Sequence, residues 1–167
     1  SSWSFCWTTM MGVLFFVLLH HLVDAGWSTV IRRPSEQILA AMPVILLAAI
    51  PIVIGMYGNQ LHHWMYADPA EDHLLHKKGW WLDKTFLAIR LVVYAIAWLL
   101  LANRLRKNSI GQDRDGAAHW TISNRRWSAG GIMLYGLTVT FCAFDLLMAL
   151  DHHWFSTVFG VYVWSGG

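Results

Sequence analysis

Long apolar runs alternate with short polar segments along this chain of 167 residues. A helix needs about 20 predominantly apolar residues to cross the hydrocarbon core of a bilayer, and four runs reach that length. They predict spanning helices at about residues 3–24, 38–57, 82–103 and 128–150, and the start of a fifth helix towards the C-terminal end. Backbone groups in hydrocarbon must pair within their own segment, and the alternating pattern of a membrane barrel is absent. The predicted fold class is therefore all-α, a polytopic transmembrane four-helix bundle.

The four runs leave no room for a separate soluble domain, so residues 1–167 are expected to form a single transmembrane domain. We expect this domain to be a fragment of a longer subunit, because the chain lacks an initial methionine and stops just after a fresh apolar run. Pro43 and Pro51 remove two backbone hydrogen bonds from the second helix and should bend it. Gly130, Gly131 and Gly136 in the fourth helix should allow a neighbouring helix to approach closely.

Two polar segments are long enough to have structure of their own. In the loop 58–81, Asp68 and Glu71 have the spacing of a capping box around a proline at the first helical position, which predicts a short surface helix over 69–78. The loop 104–127 contains two glycines among polar residues and is expected to be flexible.

Positive charge predicts the orientation in the membrane. The loops after the first and third helices hold eight Lys or Arg residues, and the loop after the second holds three when Lys84 at the start of the third helix is included. The positive-inside rule places loops 25–37 and 104–127 in the cytoplasm and loop 58–81 on the periplasmic, outer side. Eight tryptophans fall at the predicted interfaces, as expected of an aromatic belt: Trp3, Trp7, Trp27, Trp64, Trp80, Trp81, Trp127 and Trp154.

The composition narrows the functional classes. Hydrophobic residues make up 56% of the chain and charged residues 13%, about half of the roughly 25% typical of soluble domains. A net charge of +2 is too small and dispersed for nucleic-acid binding. Cys6 and Cys142 both lie in apolar runs, and no haem-attachment or cluster-ligand spacing is present. If the protein takes part in redox chemistry, we expect partner subunits to hold the cofactors.

Two ionisable residues lie within predicted membrane spans. Arg90 and Asp145 each stand about six residues from the predicted outer ends of their helices, which places both roughly 9 Å deep. Because a lone charge in hydrocarbon is costly, we expect the two side chains to pair between helices. Such a pair could be a static link in the bundle, or it could handle protons or bind a ligand; the sequence leaves both alternatives open.

Histidine pairs form the second group of candidates. His62 and His63 follow the second helix on the predicted outer side, and Asp151, His152 and His153 follow the fourth on the same side. Histidine titrates near neutral pH, so these residues are proton-handling or quinol-proximal candidates together with Arg90 and Asp145. A haem b ligand would sit deeper in a bundle, and the predicted cofactor and metal content of this chain is therefore none.

One stretch is similar to a known family signature. From Ala149 to Tyr162 the chain reads ALDHHWFSTVFGVY, which resembles the Asp/Glu-Pro-His-Trp-Phe-Ser-Thr-Ile-Phe-Gly pattern of the large membrane subunits of bacterial alternative complex III. His152 stands where that family usually has proline. Residues 24–28 (DAGWS) and 90–98 also resemble the ActF-type subunit, a member of the NrfD/polysulfide-reductase-like membrane proteins.

The resemblance implies an inner-membrane subunit of a bacterial quinol:electron-acceptor (cytochrome c) oxidoreductase, in respiratory or photosynthetic electron transfer. The implied partners are a paralogous quinol-binding membrane subunit, an iron–sulfur subunit and multi-haem cytochrome c subunits, besides lipids. Iron–sulfur clusters and haem c would belong to those partners. We expect this chain to conduct protons, to form part of the environment of a quinol such as menaquinol, or to do both. The quinol could bind in this chain or only in its paralogue, and both alternatives remain open.

Two further classes of membrane protein also have charged residues and bent helices within a helical bundle. A secondary transporter uses broken helices around a central site, and a haem b anchor uses histidines within the bundle. An inverted repeat in the full-length sequence would favour the transporter, and optical spectra of the purified protein would reveal a haem.

Overall fold

The computed structural model describes residues 2–23, 26, 29–57, 84–146 and 158–165. These residues are helical almost throughout, and no strand occurs among them. The helices are α1 (Ser2–Val23), α2 (Thr29–Ile38), a 3₁₀ turn (Leu39–Ala41), α3 (Met42–Leu47), α4 (Ile50–Tyr57), α5 (Lys84–Asp115), α6 (Ala118–Leu146) and α7 (Phe159–Ser165). The predicted all-α bundle is confirmed, and α7 lies where the start of a fifth helix was predicted.

Four helical segments are long and apolar enough to cross a bilayer, as expected of a membrane protein. They comprise 22, 26, 31 and 29 residues, at Ser2–Val23, Val30–Gly55, Thr85–Asp115 and Ala118–Leu146, compared with the roughly 20 that a crossing requires. Large apolar side chains such as Met133 and Leu137 remain exposed on their outer faces. Exposed apolar residues around the bundle are favourable where the surrounding solvent is lipid.

The second span is interrupted near Pro43 and Pro51, where a bend was predicted, whereas Pro34 lies inside α2 without a break. The 3₁₀ turn precedes α3, whose first turn contains Pro43. A second break at residues 48–49 separates α3 from α4, immediately before Pro51. Proline has no N–H to donate to the preceding turn, and its ring clashes with the carbonyl four residues earlier. The regular α-helical pattern is therefore interrupted near each of these two prolines.

The segments predicted as loops 25–37 and 104–127 are largely helical, so this part of the prediction is wrong. Helix α2 occupies residues 29–38, α5 continues to Asp115, and α6 starts at Ala118. Only Gly116 and Ala117 turn the chain, and Gly116 adopts a left-handed φ of 65° that favours glycine. We call the end of the bundle where α5 and α6 meet the hairpin end.

Hydrogen bonds between polar side chains explain why α5 and α6 continue into this region. Asn108 Nδ2 donates to Asn124 Oδ1 at 2.8 Å and to Ser123 Oγ at 3.0 Å. One turn further on, Gln112 Nε2 donates to Thr121 Oγ1 at 2.9 Å. A helix of 32 residues is about 48 Å long, whereas the hydrocarbon core is about 30 Å thick. The hairpin end therefore projects beyond the apolar layer, where polar helical residues are favourable.

Helix α6 is the centre of the packing and contacts α1, α5 and α7. At Gly131, an added Cβ would lie 2.9 Å from side-chain atoms of Leu18 and Leu101, so only glycine lets the three helices meet without a shift. This supports the close packing predicted at Gly131 but not at Gly130 or Gly136, where a Cβ would touch nothing within 4 Å. Trp7, which was assigned to the aromatic belt, is instead buried in the core between Trp3 and Trp98.

The predicted surface helix 69–78 and the rest of the loop 58–81 lie outside the described residues. The predicted ends of the first and fourth helices at residues 24 and 150 lie outside them as well.

Candidate functional site

The contact predicted between Arg90 and Asp145 is confirmed. Arg90 Nε donates to Asp145 Oδ2 at 3.0 Å, and Arg90 Nη2 donates to Asp145 Oδ1 at 2.8 Å. Both residues are buried, with 8% and 3% of their surface exposed. Two parallel N–H···O bonds match the planar guanidinium to the carboxylate, which fixes both distance and orientation. The charges of Arg90 and Asp145 thus neutralise each other inside the bundle.

Helix α5 provides two more side chains to this pair, each one turn from Arg90. Tyr94 donates its hydroxyl to Asp145 Oδ2 at 3.2 Å. The guanidinium carbon of Arg90 lies 4.6 Å from the ring centroid of Phe86, within cation–π distance. Residues four apart share one face of a helix, so positions 86, 90 and 94 present a single row to α6. The Asp145 carboxylate therefore accepts three hydrogen bonds from one neighbouring helix.

Tyr94 also lines an apolar cleft. Its volume is about 340 Å³, and its aromatic walls are Trp3, Trp7, Tyr94 and Trp98. Cys142, one turn before Asp145 on α6, completes one side. Trp98 Nε1 donates to Thr138 Oγ1 at 2.9 Å, whereas the buried Nε1 of Trp7 has no hydrogen-bond acceptor within the described part of the chain. An apolar, aromatic cavity with a few polar groups is the usual form of a site for a small apolar ligand.

A line of buried residues runs along α6 from the hairpin end to Asp145. Its members are separated alternately by four and three positions, which keeps them on one face of the helix: Asn124, Ser128, Gly131, Tyr135, Thr138, Cys142 and Asp145. We call this line the α6 stripe. Its 21-residue span rises about 31 Å, close to the thickness of the hydrocarbon core.

Several polar atoms of the α6 stripe are buried without a partner. Asn124 Nδ2, Ser128 Oγ and the Tyr135 hydroxyl make no hydrogen bond to other described residues. A buried polar group without a partner costs about 1–3 kcal/mol, so internal water would be favourable beside each of them. Between Ser128 and Tyr135, however, Leu18 and Leu101 close over Gly131. The stripe is therefore divided into two polar halves by an apolar layer.

A second buried carboxylate, Glu36 on α2, lies at the hairpin end. Ser109 Oγ donates to Glu36 Oε2 at 2.5 Å, and His21 Nε2 lies 3.5 Å from Oε1. Arg32 Nε and Arg33 Nη1 each lie 3.5 Å from the same carboxylate, and Arg33 also pairs with Asp113 of α5. Glu36 is only 2% exposed. The cluster joins the end of α1 to α2 and α5.

Sequence reasoning missed Glu36, Ser109 and the polar members of the α6 stripe. The signal for Glu36 was its spacing of four from Arg32 and three from Arg33, which is the pattern of ion pairs on one helix. The segment was interpreted as a loop, so its helical spacing was not considered. The remaining predicted candidates, His62, His63, Asp151, His152 and His153, lie outside the described residues. No group of three metal-binding side chains occurs among the described residues.

No protein-family model matches the chain, and no curated protein is similar to it.

Proposed function

We propose that this chain is an integral membrane subunit of a quinol:electron-acceptor oxidoreductase, in which Asp145 takes part in proton transfer. The observation that carries the proposal is the buried Arg90–Asp145 pair, hydrogen-bonded by Tyr94 at the wall of an aromatic cleft. An ionisable pair within a membrane is by default a functional site. The resemblance to ActF-type subunits of alternative complex III supports the choice of a quinol-oxidising assembly.

The chemistry of quinol oxidation explains why such a pair would be useful. The reaction releases two electrons and two protons, and the protons need an acceptor close to the quinol oxygen. Tyr94 contacts both the cleft and Asp145, so its hydroxyl can relay a proton from a ligand in the cleft to the carboxylate. Arg90 orients the carboxylate through two hydrogen bonds before it accepts the proton. In this proposal the electrons leave through cofactors of the partner subunits.

In this proposal, the polar residues of the α6 stripe form a path for protons along the bundle. Its polar half near the hairpin end begins close to the Glu36 cluster, and its other half ends at Asp145. The apolar layer of Leu18 and Leu101 at Gly131 separates the two halves. A proton crossing this layer needs transient water or a shift of the two leucines, which would let the protein control the passage.

We propose a location in the bacterial inner membrane with the hairpin end in the cytoplasm. The support is the distribution of charge, because eight Lys or Arg residues belong to the two segments at that end. In this orientation the Arg90–Asp145 pair lies in the outer half of the membrane.

The variant Asp145→Asn in the intact complex tests the proposed role. Asparagine keeps the size of the side chain but cannot accept a proton. We therefore expect the rate of quinol oxidation to fall about 100-fold, or quinol oxidation to become uncoupled from proton release. Asp145→Glu is the matched control, because it keeps the carboxylate and should restore part of the activity. If both variants assemble and Asp145→Asn turns over with unchanged proton release, Asp145 is structural and the proposal is wrong.

A secondary transporter is the second candidate, because the interrupted helix of the span Val30–Gly55 lies beside the cleft. The two candidates differ in the assay that responds. A transporter should drive solute uptake in proteoliposomes that contain this subunit alone, whereas the oxidoreductase subunit should act only together with its redox partners.

A further inference from the structure

A groove opens on the lipid-facing side of α5 and α6, away from the aromatic cleft. Its volume is about 230 Å³. The floor is formed by Gly130, whose missing side chain leaves the helix backbone open, and by the neighbouring Gly131. Leu101 and Leu134 form the apolar walls. Arg126 and Trp127 line the end of the groove that points towards the hairpin end. A second pocket, lined by His119 and Ile122, shares these two residues and extends the groove in that direction.

One arginine lines this groove, and a second lies over a tryptophan that lines it. Arg126 lies one turn before Gly130 and two turns before Leu134, so all three occupy one face of α6. The guanidinium of Arg104, on α5, lies 5.4 Å from the centroid of the Trp127 ring. Neither arginine forms an ion pair with a carboxylate of the described chain. The acidic residues of the hairpin end are engaged elsewhere, Glu36 and Asp113 with Arg33.

The length of the groove along α6 is close to the thickness of the hydrocarbon of one leaflet. Arg126 and Leu134 are eight residues apart, a rise of about 12 Å, and one leaflet contributes about 15 Å of hydrocarbon. Trp127 is 45% exposed beside the arginines, and tryptophan favours the level of the lipid headgroups. The arginines therefore lie at headgroup level, with an apolar groove directly below them.

We infer that this groove binds an anionic phospholipid. One acyl chain lies along Gly130 and Gly131 towards Leu134, and the phosphate lies between Arg104 and Arg126, with Trp127 as the platform that orients Arg104. Charge complementarity selects this occupant, because basic pockets between membrane helices favour anionic headgroups, whereas an apolar transmembrane helix in the groove would bring no negative charge to either arginine. The site is separate from Asp145 and does not depend on the proposed redox function.

Lipid binding to the purified protein or its intact complex tests the inference. The probes are phosphatidylglycerol and phosphatidylcholine of the same chain length, presented in nanodiscs or titrated in detergent and followed by native mass spectrometry. Each cation near a membrane surface contributes about fivefold to the affinity for an anionic lipid, so Arg104→Gln/Arg126→Gln should weaken phosphatidylglycerol binding about 30-fold. The control Arg106→Gln/Lys107→Gln removes the same charge from exposed positions next to Arg104 and should change binding less than about threefold.

A second variant tests the acyl-chain half of the site without changing its charge. At Gly130 an added Cβ meets nothing within 4 Å, so Gly130→Leu should fold while its side chain fills the groove. We expect it to weaken phosphatidylglycerol binding roughly tenfold, because the acyl chain loses its contacts. Three results would each overturn the inference. They are an equal loss of binding in the Arg106→Gln/Lys107→Gln control, unchanged binding in Gly130→Leu, and an affinity for phosphatidylcholine equal to that for phosphatidylglycerol. So would a protein segment occupying the groove in a structure of the intact complex.

Discussion

Replacing the whole Arg90–Asp145 pair should destabilise this protein less than removing either charge. Asp145→Asn leaves the Arg90 guanidinium buried without its counter-charge, since only 8% of the residue is exposed. Breaking a buried ion pair in this way costs roughly 3–5 kcal/mol, and Arg90→Met should cost about the same. Exchanging both partners for apolar residues of similar volume is often neutral, or stabilising by about 1–4 kcal/mol. Arg90→Met/Asp145→Leu should therefore be more stable than either single variant.

The comparison is best made in a Tyr94→Phe background, because the Tyr94 hydroxyl otherwise loses its acceptor when Asp145 is replaced. Tyr94→Phe alone should cost about 1.5–3 kcal/mol, the contribution of a hydrogen bond to a charged group. The free energy of unfolding can be measured in mixed micelles of mild detergent and dodecyl sulfate, with helix content as the signal. If both single variants lie within about 0.5 kcal/mol of the background, the pair is not desolvated and the burial argument fails.

Three other predictions address topology, packing and the Glu36 cluster. A cysteine can be introduced in place of Arg106 or His73 in a cysteine-free variant. A membrane-impermeant reagent outside the cell should then label position 73 only, and labelling of position 106 alone would show that the orientation is the opposite one. Gly131→Leu should lower the free energy of unfolding by about 1–3 kcal/mol, whereas Gly130→Ala should be nearly neutral, and equal effects would contradict the close contact. Glu36→Gln leaves nearby basic groups without their carboxylate, so the melting temperature of the purified protein should fall by several degrees; an unchanged value would mean that Glu36 is solvated.

The features that follow from hydropathy and depth were predictable. The four spans follow from the length of their apolar runs, and the breaks before Pro43 and Pro51 follow from the missing N–H groups. The Arg90–Asp145 contact was predictable because two charges at equal depth in hydrocarbon have few other partners.

The hairpin end was not predictable in the same way. Outside the hydrocarbon, polar residues are compatible with both helix and loop, and the choice depends on bonds such as Asn108–Asn124 between positions 16 residues apart. Trp7 was misplaced for a related reason. Hydropathy places a residue along the membrane normal but does not tell whether it faces lipid or a neighbouring helix, and Trp7 faces α5.

The two-residue turn at Gly116 and Ala117 ties the membrane insertion of α5 to that of α6. The tip around the turn carries Arg114 and Asp115, and moving such charges through hydrocarbon costs several kcal/mol for each residue. The tip therefore stays on the side from which the chain is inserted, while the two helices enter as an antiparallel hairpin. Asp145 lies 55 positions after Arg90, so the ribosome completes α5 long before the counter-charge exists. Until α6 has been synthesised, Arg90 lacks its counter-charge, so we expect the hairpin to be stable in lipid only once Asp145 has joined it.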